Sequence, residues 1–132
     1  MLNNFLLYIL AIFIHETGHY IVARCYRQTV DDFAIFFNPW FDLLRFKIGQ
    51  TTFHLGWLPI GGYVRVRNFD SLPEPKQFVI AIAGIVANHI SMLVGLYLYG
   101  LNEFTLISGL IMVINSLPYP PYDGYYIRKM FK

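Results

Sequence analysis

His15, Glu16 and His19 stand together in the run HETGH. Four residues make about one turn of a helix, so the two rings leave the same face at the separation a zinc pair requires. Glu16, on the next position, can reach a water at the metal's open position without being a ligand itself, an arrangement suited to metal-assisted hydrolysis. Gly18 lets another backbone or a substrate come close. The competing reading is a pair of helix histidines hydrogen-bonded to neighbours, and the surroundings weigh against it. The motif lies in residues 6–26, LLYILAIFIHETGHYIVARCY, a stretch otherwise apolar enough to enter a bilayer. An ionisable side chain at that depth is costly and faces a cavity or a partner rather than lipid.

A catalytic zinc needs three protein ligands and an open position. Asp123, within SLPYPPYDG, is the candidate third ligand, being the only acidic residue after Glu103. On spacing alone, an ordinary Asp-Gly turn after prolines explains it equally well.

The elements that must position these groups follow from composition and pattern. Apolar residues make up 56% of the chain and charged ones 14%, where a soluble domain carries about a quarter. An α-helical membrane protein is therefore expected. The net charge of +2, with no basic stripe, argues against nucleic acid as a partner. One cysteine, Cys25, allows no intramolecular disulfide and reads as an inert thiol at a helix end. A length of 132 residues suits a single core. Its expected parts are helix 1 at about 4–27, a strand region at about 31–67, helix 2 at about 77–100 and a broken helix 3 at about 104–130. Helix 1 has no basic residue ahead of its apolar run and reads as a retained span rather than a secretory signal. Prolines must break the third helix before it crosses, and irregular backbone at membrane depth is tolerated only inside protein or along a cavity. Residues 118–124 should then line a cavity.

The expected fold is thus three transmembrane helices with a membrane-associated β-hairpin or sheet region between helices 1 and 2. LLRFKI and TTFHLGW flank Gly49-Gln50, and GYVRVR follows Gly61-Gly62; these predict two hairpins in a sheet of three or four strands. Most basic residues lie between helices 1 and 2 or after helix 3. The positive-inside rule then puts the N-terminus outside, with the strand region and C-terminus cytoplasmic. That orientation brings His15 and Asp123 to the same end of the membrane. His54 reads as a surface or interface group rather than a ligand, His89 as a bystander about 100° around the helix from Asn88, and Arg65 and Arg67 as headgroup anchors.

Four motifs, in order over residues 10–127, are HETGH in the first apolar helix, GWLPIGGYV after the strands, AGIVAN in the next span and NSLPYPPYDG in the last. Together they resemble the site-2 protease family of intramembrane zinc metalloproteases, in a minimal core form. The resemblance implies one Zn2+ per chain on His15, His19 and Asp123, with Glu16 as the catalytic base. It places Asn88 where the family has a middle-span asparagine, positioning a substrate carbonyl; an interhelical hydrogen bond is the other reading. Ile85, Tyr122 and Tyr125 depart from the family's Pro, Leu and Gly, which bears on cavity shape and removes no ligand. The activity this resemblance implies is that of an intramembrane zinc endopeptidase in a bacterial cytoplasmic membrane. It would cut a transmembrane protein or peptide near the cytoplasmic side, in regulated intramembrane proteolysis or in clearing signal-peptide remnants. The substrate must unwind locally, and a strand edge within residues 43–66 could hold it by strand addition. Gly56, Gly61 and Gly62 would permit that close approach, unless they serve only as turns. Two alternatives stand beside this reading. A non-catalytic adaptor for transmembrane helices would have no use for Glu16, and a zinc carrier or sensor would tolerate Glu16→Gln.

Overall fold

Residues 2–25 are apolar on every side, as a helix in apolar surroundings should be, and they form α1, Leu2–Cys25. In the computed structural model, which describes residues 2–119 and 123–131, four strands come next: β1 Val30–Phe37, β2 Leu44–Ile48, β3 Thr51–Leu55 and β4 Leu58–Val66. A 3-10 turn, Phe69–Ser71, leads to α2 Glu74–Tyr99, α3 Glu103–Asn115 and α4 Asp123–Met130. Proline stands at the start of α2, where a missing N–H costs nothing, and Gly100 (φ +70°) ends it. Asn102 then opens α3 with a capping box, its side chain accepting from Thr105 N at 3.1 Å while Thr105 Oγ1 accepts from Asn102 N.

At 24 and 26 residues, α1 and α2 are each long enough, at roughly 36 Å or more, to cross a hydrocarbon core of about 30 Å. By length and composition these are the two candidate spans among the described residues. The third expected transmembrane helix is not continuous. α3 has 13 residues, about 20 Å, and stops at Asn115 ahead of the prolines.

The strands form one mixed sheet in the order β2-β3-β1-β4. Only β2 and β3 make the hairpin expected from Gly49-Gln50. The second expected hairpin is replaced by long-range pairing: β1 lies between β3, to which it is parallel, and β4, to which it is antiparallel. β1 is correspondingly the buried strand, with Val30, Phe33, Ala34 and Phe36 in the interior. It runs back along α1, Phe33 meeting Phe13 and Tyr20, and Phe36 meeting Phe5 and Tyr8. The sheet therefore lies beside α1 and not beyond its end.

Arg65 and Arg67 stay more than half exposed and are also ion-paired to β1, Arg65 with its register partner Asp32 at 3.2 Å and Arg67 with Asp31 at 2.6 Å. Of the two readings of His54, the interface one holds. Its ring sits between two carboxylates, Nδ1 2.9 Å from Asp42 and Nε2 2.8 Å from Asp32.

The apolar core falls into two clusters, Ala11, Ile12, Phe36 and Ile111 in one, Ala23, Val30, Val66 and Ile80 in the other. HETGH lies on α1 between them. α1 and α2 cross in near-backbone contact there, since a Cβ on Gly18 would stand 2.6 Å from the Ala83 carbonyl oxygen.

Candidate metal centre

α1 presents His15 and His19 from one face, their rings edge to face with centroids 4.8 Å apart. Both are buried, as is Glu16 between them. Asp123 arrives 108 residues later at the start of α4, with Oδ2 3.0 Å from His15 Nε2 and 3.1 Å from His19 Nε2. The two Nε2 atoms are 3.1 Å apart. Gly124 allows this approach: a Cβ on it would overlap the carbonyl oxygens of Ser116 and Leu117, so the first turn of α4 presses against the end of α3. Tyr126, edge-on to Phe69 at 5.0 Å, anchors α4 to the 3-10 turn.

These residues fit a zinc ion on their own chemistry. Two imidazoles and a carboxylate are a donor set zinc takes, and donors about 2.0–2.2 Å from a tetrahedral ion lie roughly 3.3 Å from each other. His19 Nδ1 donates to the Ile80 carbonyl at 2.7 Å, which leaves Nε2 as the lone-pair nitrogen facing the cluster. Among the described residues this is the one group of three or more His, Cys, Asp or Glu so disposed.

Two cavities meet at Glu16. One, about 570 Å³, reaches His15, His19 and Asp123 past Arg65, Asn68 and Asp70. The other, about 500 Å³, is an apolar groove between α1, β4 and α3, lined by Ile12, Ile60, Ile107 and Ile111. Asp123, within the segment expected to line a cavity, does so; residues 120–122, Tyr122 included, lie outside the described ones.

The glycines and Asn88 divide. Gly62 is at the site, where a Cβ would stand 3.0 Å from Glu16 Oε1. Gly61 lies beside it with φ +56° and open space at its Cβ. Gly56 lines neither cavity; its N–H donates to Ile35 O at 2.8 Å, and a Cβ would run into the carbonyls of Phe36 and Phe37. Its smallness serves packing on β1. Asn88 is fully buried behind His15, with Nδ2 3.2 Å from His15 Nδ1, and lines neither cavity.

Three residues escaped the sequence reading. Gly84 on α2 faces both imidazoles, Asn115 lines both cavities, and Tyr8 closes the groove against β4. A glycine inside an apolar span, and an asparagine ending one, were the available signals.

A helix-borne HExxH whose histidines meet a distant carboxylate, on a scaffold of long apolar helices, defines a core with a His-His-Asp metal-site arrangement. Residues 4–104 match the family model of Peptidase family M50, and the chain belongs to that family, the site-2 proteases. The matched region carries His15, Glu16, His19 and Asn88; Asp123 lies beyond it. Similar proteins include one from Chlamydia trachomatis, 31% identical over 116 residues, covering 71% of this chain and 18% of that protein. One from Thermotoga maritima is 36% identical over 88 residues, covering 55% and 17%. A third, from Fusobacterium nucleatum, is 29% identical over 98 residues, covering 67% and 28%. All three are provisionally named zinc metalloproteases. The chain thus spans under a third of the length of these curated relatives.

Proposed function

We propose that the chain is the core of an intramembrane zinc endopeptidase, which cleaves a transmembrane segment of a membrane-protein substrate near the cytoplasmic side. The observation that carries this reading is the convergence of His15, His19 and Asp123 beside Glu16, at the inner end of an apolar groove. One zinc per chain would lower the pKa of water towards about 7 and polarise the scissile carbonyl. Glu16 accepts the attacking water's proton on its carboxylate and delivers it to the leaving amine nitrogen.

The groove suits an extended peptide. β4 is an edge strand, and along its free side Gly61 N–H donates to the Tyr8 hydroxyl at 3.3 Å, while that hydroxyl reaches the Pro59 carbonyl at 3.5 Å. A substrate backbone takes these places by strand addition, with its side chains among the isoleucines of the groove. α1 and α2 span the bilayer, and α3 with α4 forms a third, broken crossing. The basic residues favour the N-terminus outside and the C-terminus cytoplasmic, in a bacterial cytoplasmic membrane. Regulated intramembrane proteolysis and clearance of signal-peptide remnants are the two roles this chemistry serves.

The test is a transmembrane peptide incubated with purified protein in detergent, with zinc measured by elemental analysis. Glu16→Gln abolishes product while keeping zinc; Asp123→Ala loses both. Continued cleavage by Glu16→Gln would overturn the mechanism. Tight zinc binding by the wild type without cleavage of any such peptide would favour a carrier or sensor. Absence of zinc and of cleavage would favour a helix-binding adaptor.

A further inference from the structure

The side of His15 away from Asp123 is occupied by Asn88. This side chain is 0% exposed, with Nδ2 3.2 Å from His15 Nδ1 and Oδ1 without a partner. In that orientation the amide donates to Nδ1. The ring proton must then sit on Nε2, which faces His19 Nε2 and Asp123 Oδ2 at 3.1 and 3.0 Å. A nitrogen that binds a metal needs its lone pair there, and the proton belongs on the other side of the ring. The oxygen and nitrogen of an amide exchange places by a half-turn, and the choice is decided by their partners. One amide atom lacks a partner among the described residues either way, so the orphan does not decide the orientation. The ligand nitrogen does.

We infer that Asn88 Oδ1 accepts a hydrogen bond from His15 Nδ1–H and is a positioning residue that fixes the metal-binding tautomer of His15. This rests on the reading of His15 as a zinc ligand. The inference makes the two histidines alike, since His19 Nδ1–H already donates to the Ile80 carbonyl at 2.7 Å. Both acceptors then come from α2, at positions 80 and 88, two turns apart. Midway between them is Gly84, where a Cβ would meet both rings. Ile80, Gly84 and Asn88 form a rack at i, i+4 and i+8: an acceptor, a gap for the imidazoles, and a second acceptor. Asn88 therefore acts through His15 and does not touch substrate.

The experiment is zinc affinity by chelator competition, on wild type, Asn88→Leu and Asn88→Asp, with the melting temperature of each apo-protein. Asn88→Leu, similar in size but without an acceptor, weakens zinc binding by about 10–100-fold. Asn88→Asp, which keeps an acceptor, returns affinity to the wild-type level or above it. A purely interhelical role predicts the reverse pattern, a lower melting temperature in Asn88→Leu with zinc affinity unchanged, and that result overturns the inference. Should Asn88→Leu not fold, Asn88→Ala makes the same comparison without the added branching. Wild-type protein that binds no zinc defeats the metal reading itself, whereas tight wild-type binding with indifferent variants defeats only the role of Asn88.

Discussion

Gly84 sets the tightest steric condition at the centre. A Cβ there would overlap His19 Nε2 and lie 2.8 Å from His15 Nε2 and Cε1, so even alanine must displace the two rings. Overpacking of this kind costs about 1–3 kcal/mol when neighbours can shift; here the neighbours are the proposed metal donors. Gly84→Ala should lower zinc affinity by about tenfold or more, the equivalent of 1.4 kcal/mol lost from binding, read by the same chelator competition. Gly109→Ala is the matched control on α3, because its Cβ meets only Met92 Sδ at 3.5 Å. Equal affinity in both variants would mean that α2 does not hold the rings. His15, Glu16 and His19 were legible in the sequence because their geometry is local, fixed by one turn of helix. Asp123 was half legible: its type and the break before it could be read, but its approach spans 104–108 residues and depends on α4 packing against α2. Gly84, and the place of Asn88 behind His15, depend on how α1 and α2 cross, for which residue spacing carries no signal.

Among the elements, the strands were legible from alternation and their partners were not. Pairing β1 in parallel with β3 brings together residues about 20 apart, and a local pattern of apolar and polar positions is the same for either neighbour. The consequence is a polar network no single strand reveals, with Asp32 from β1, His54 from β3 and Asp42 from the intervening loop. Burial raises the pKa of Asp42, but hydrogen bonds from His54 and Asn38 outweigh it and hold the carboxyl below its ordinary value. The sign follows from that depression. The stabilising contribution of Asp42 is complete above the unfolded-state pKa, about 3.9, and is lost as pH falls through the folded value. The chain's two tryptophans, Trp40 and Trp57, stack 6.1 Å apart beside this loop, and Trp57 Nε1 donates to Pro39 O at 2.7 Å. Their fluorescence should change on acidification below about pH 4, and Asp42→Asn should be less stable at neutral pH yet respond less to acid in that window. An identical acid response in the variant would assign the change to other carboxylates.

For the whole molecule, sidedness follows from the distribution of apolar and basic residues, and a single residue tests it. Large apolar side chains are exposed along α1 and α2, among them Leu10, Phe13, Ile21, Ile90, Val94 and Leu98. Surface of that kind and extent belongs against lipid or a partner rather than water. Tyr97 and Tyr99, 89% and 79% exposed, end α2 on the side away from the metal centre, where an interfacial aromatic belt would stand. The basic residues gather towards the other end, Arg24 and Arg27 after the histidines of α1, and Arg128 and Lys129 at the end of α4. Lys and Arg in short flanking segments are retained on the cytoplasmic side, so the proposed orientation has the metal centre opening there. Cys25 is the sole cysteine, is exposed, and ends α1 at this basic boundary. A membrane-impermeant maleimide should therefore label it in inside-out vesicles and leave it unlabelled in intact spheroplasts. Labelling from the outer face instead would invert the molecule and carry Glu16 and the proposed cut site towards the outer surface. The His15-His19-Asp123 cluster would stand unchanged, because its geometry depends on helix crossings and not on which leaflet they face.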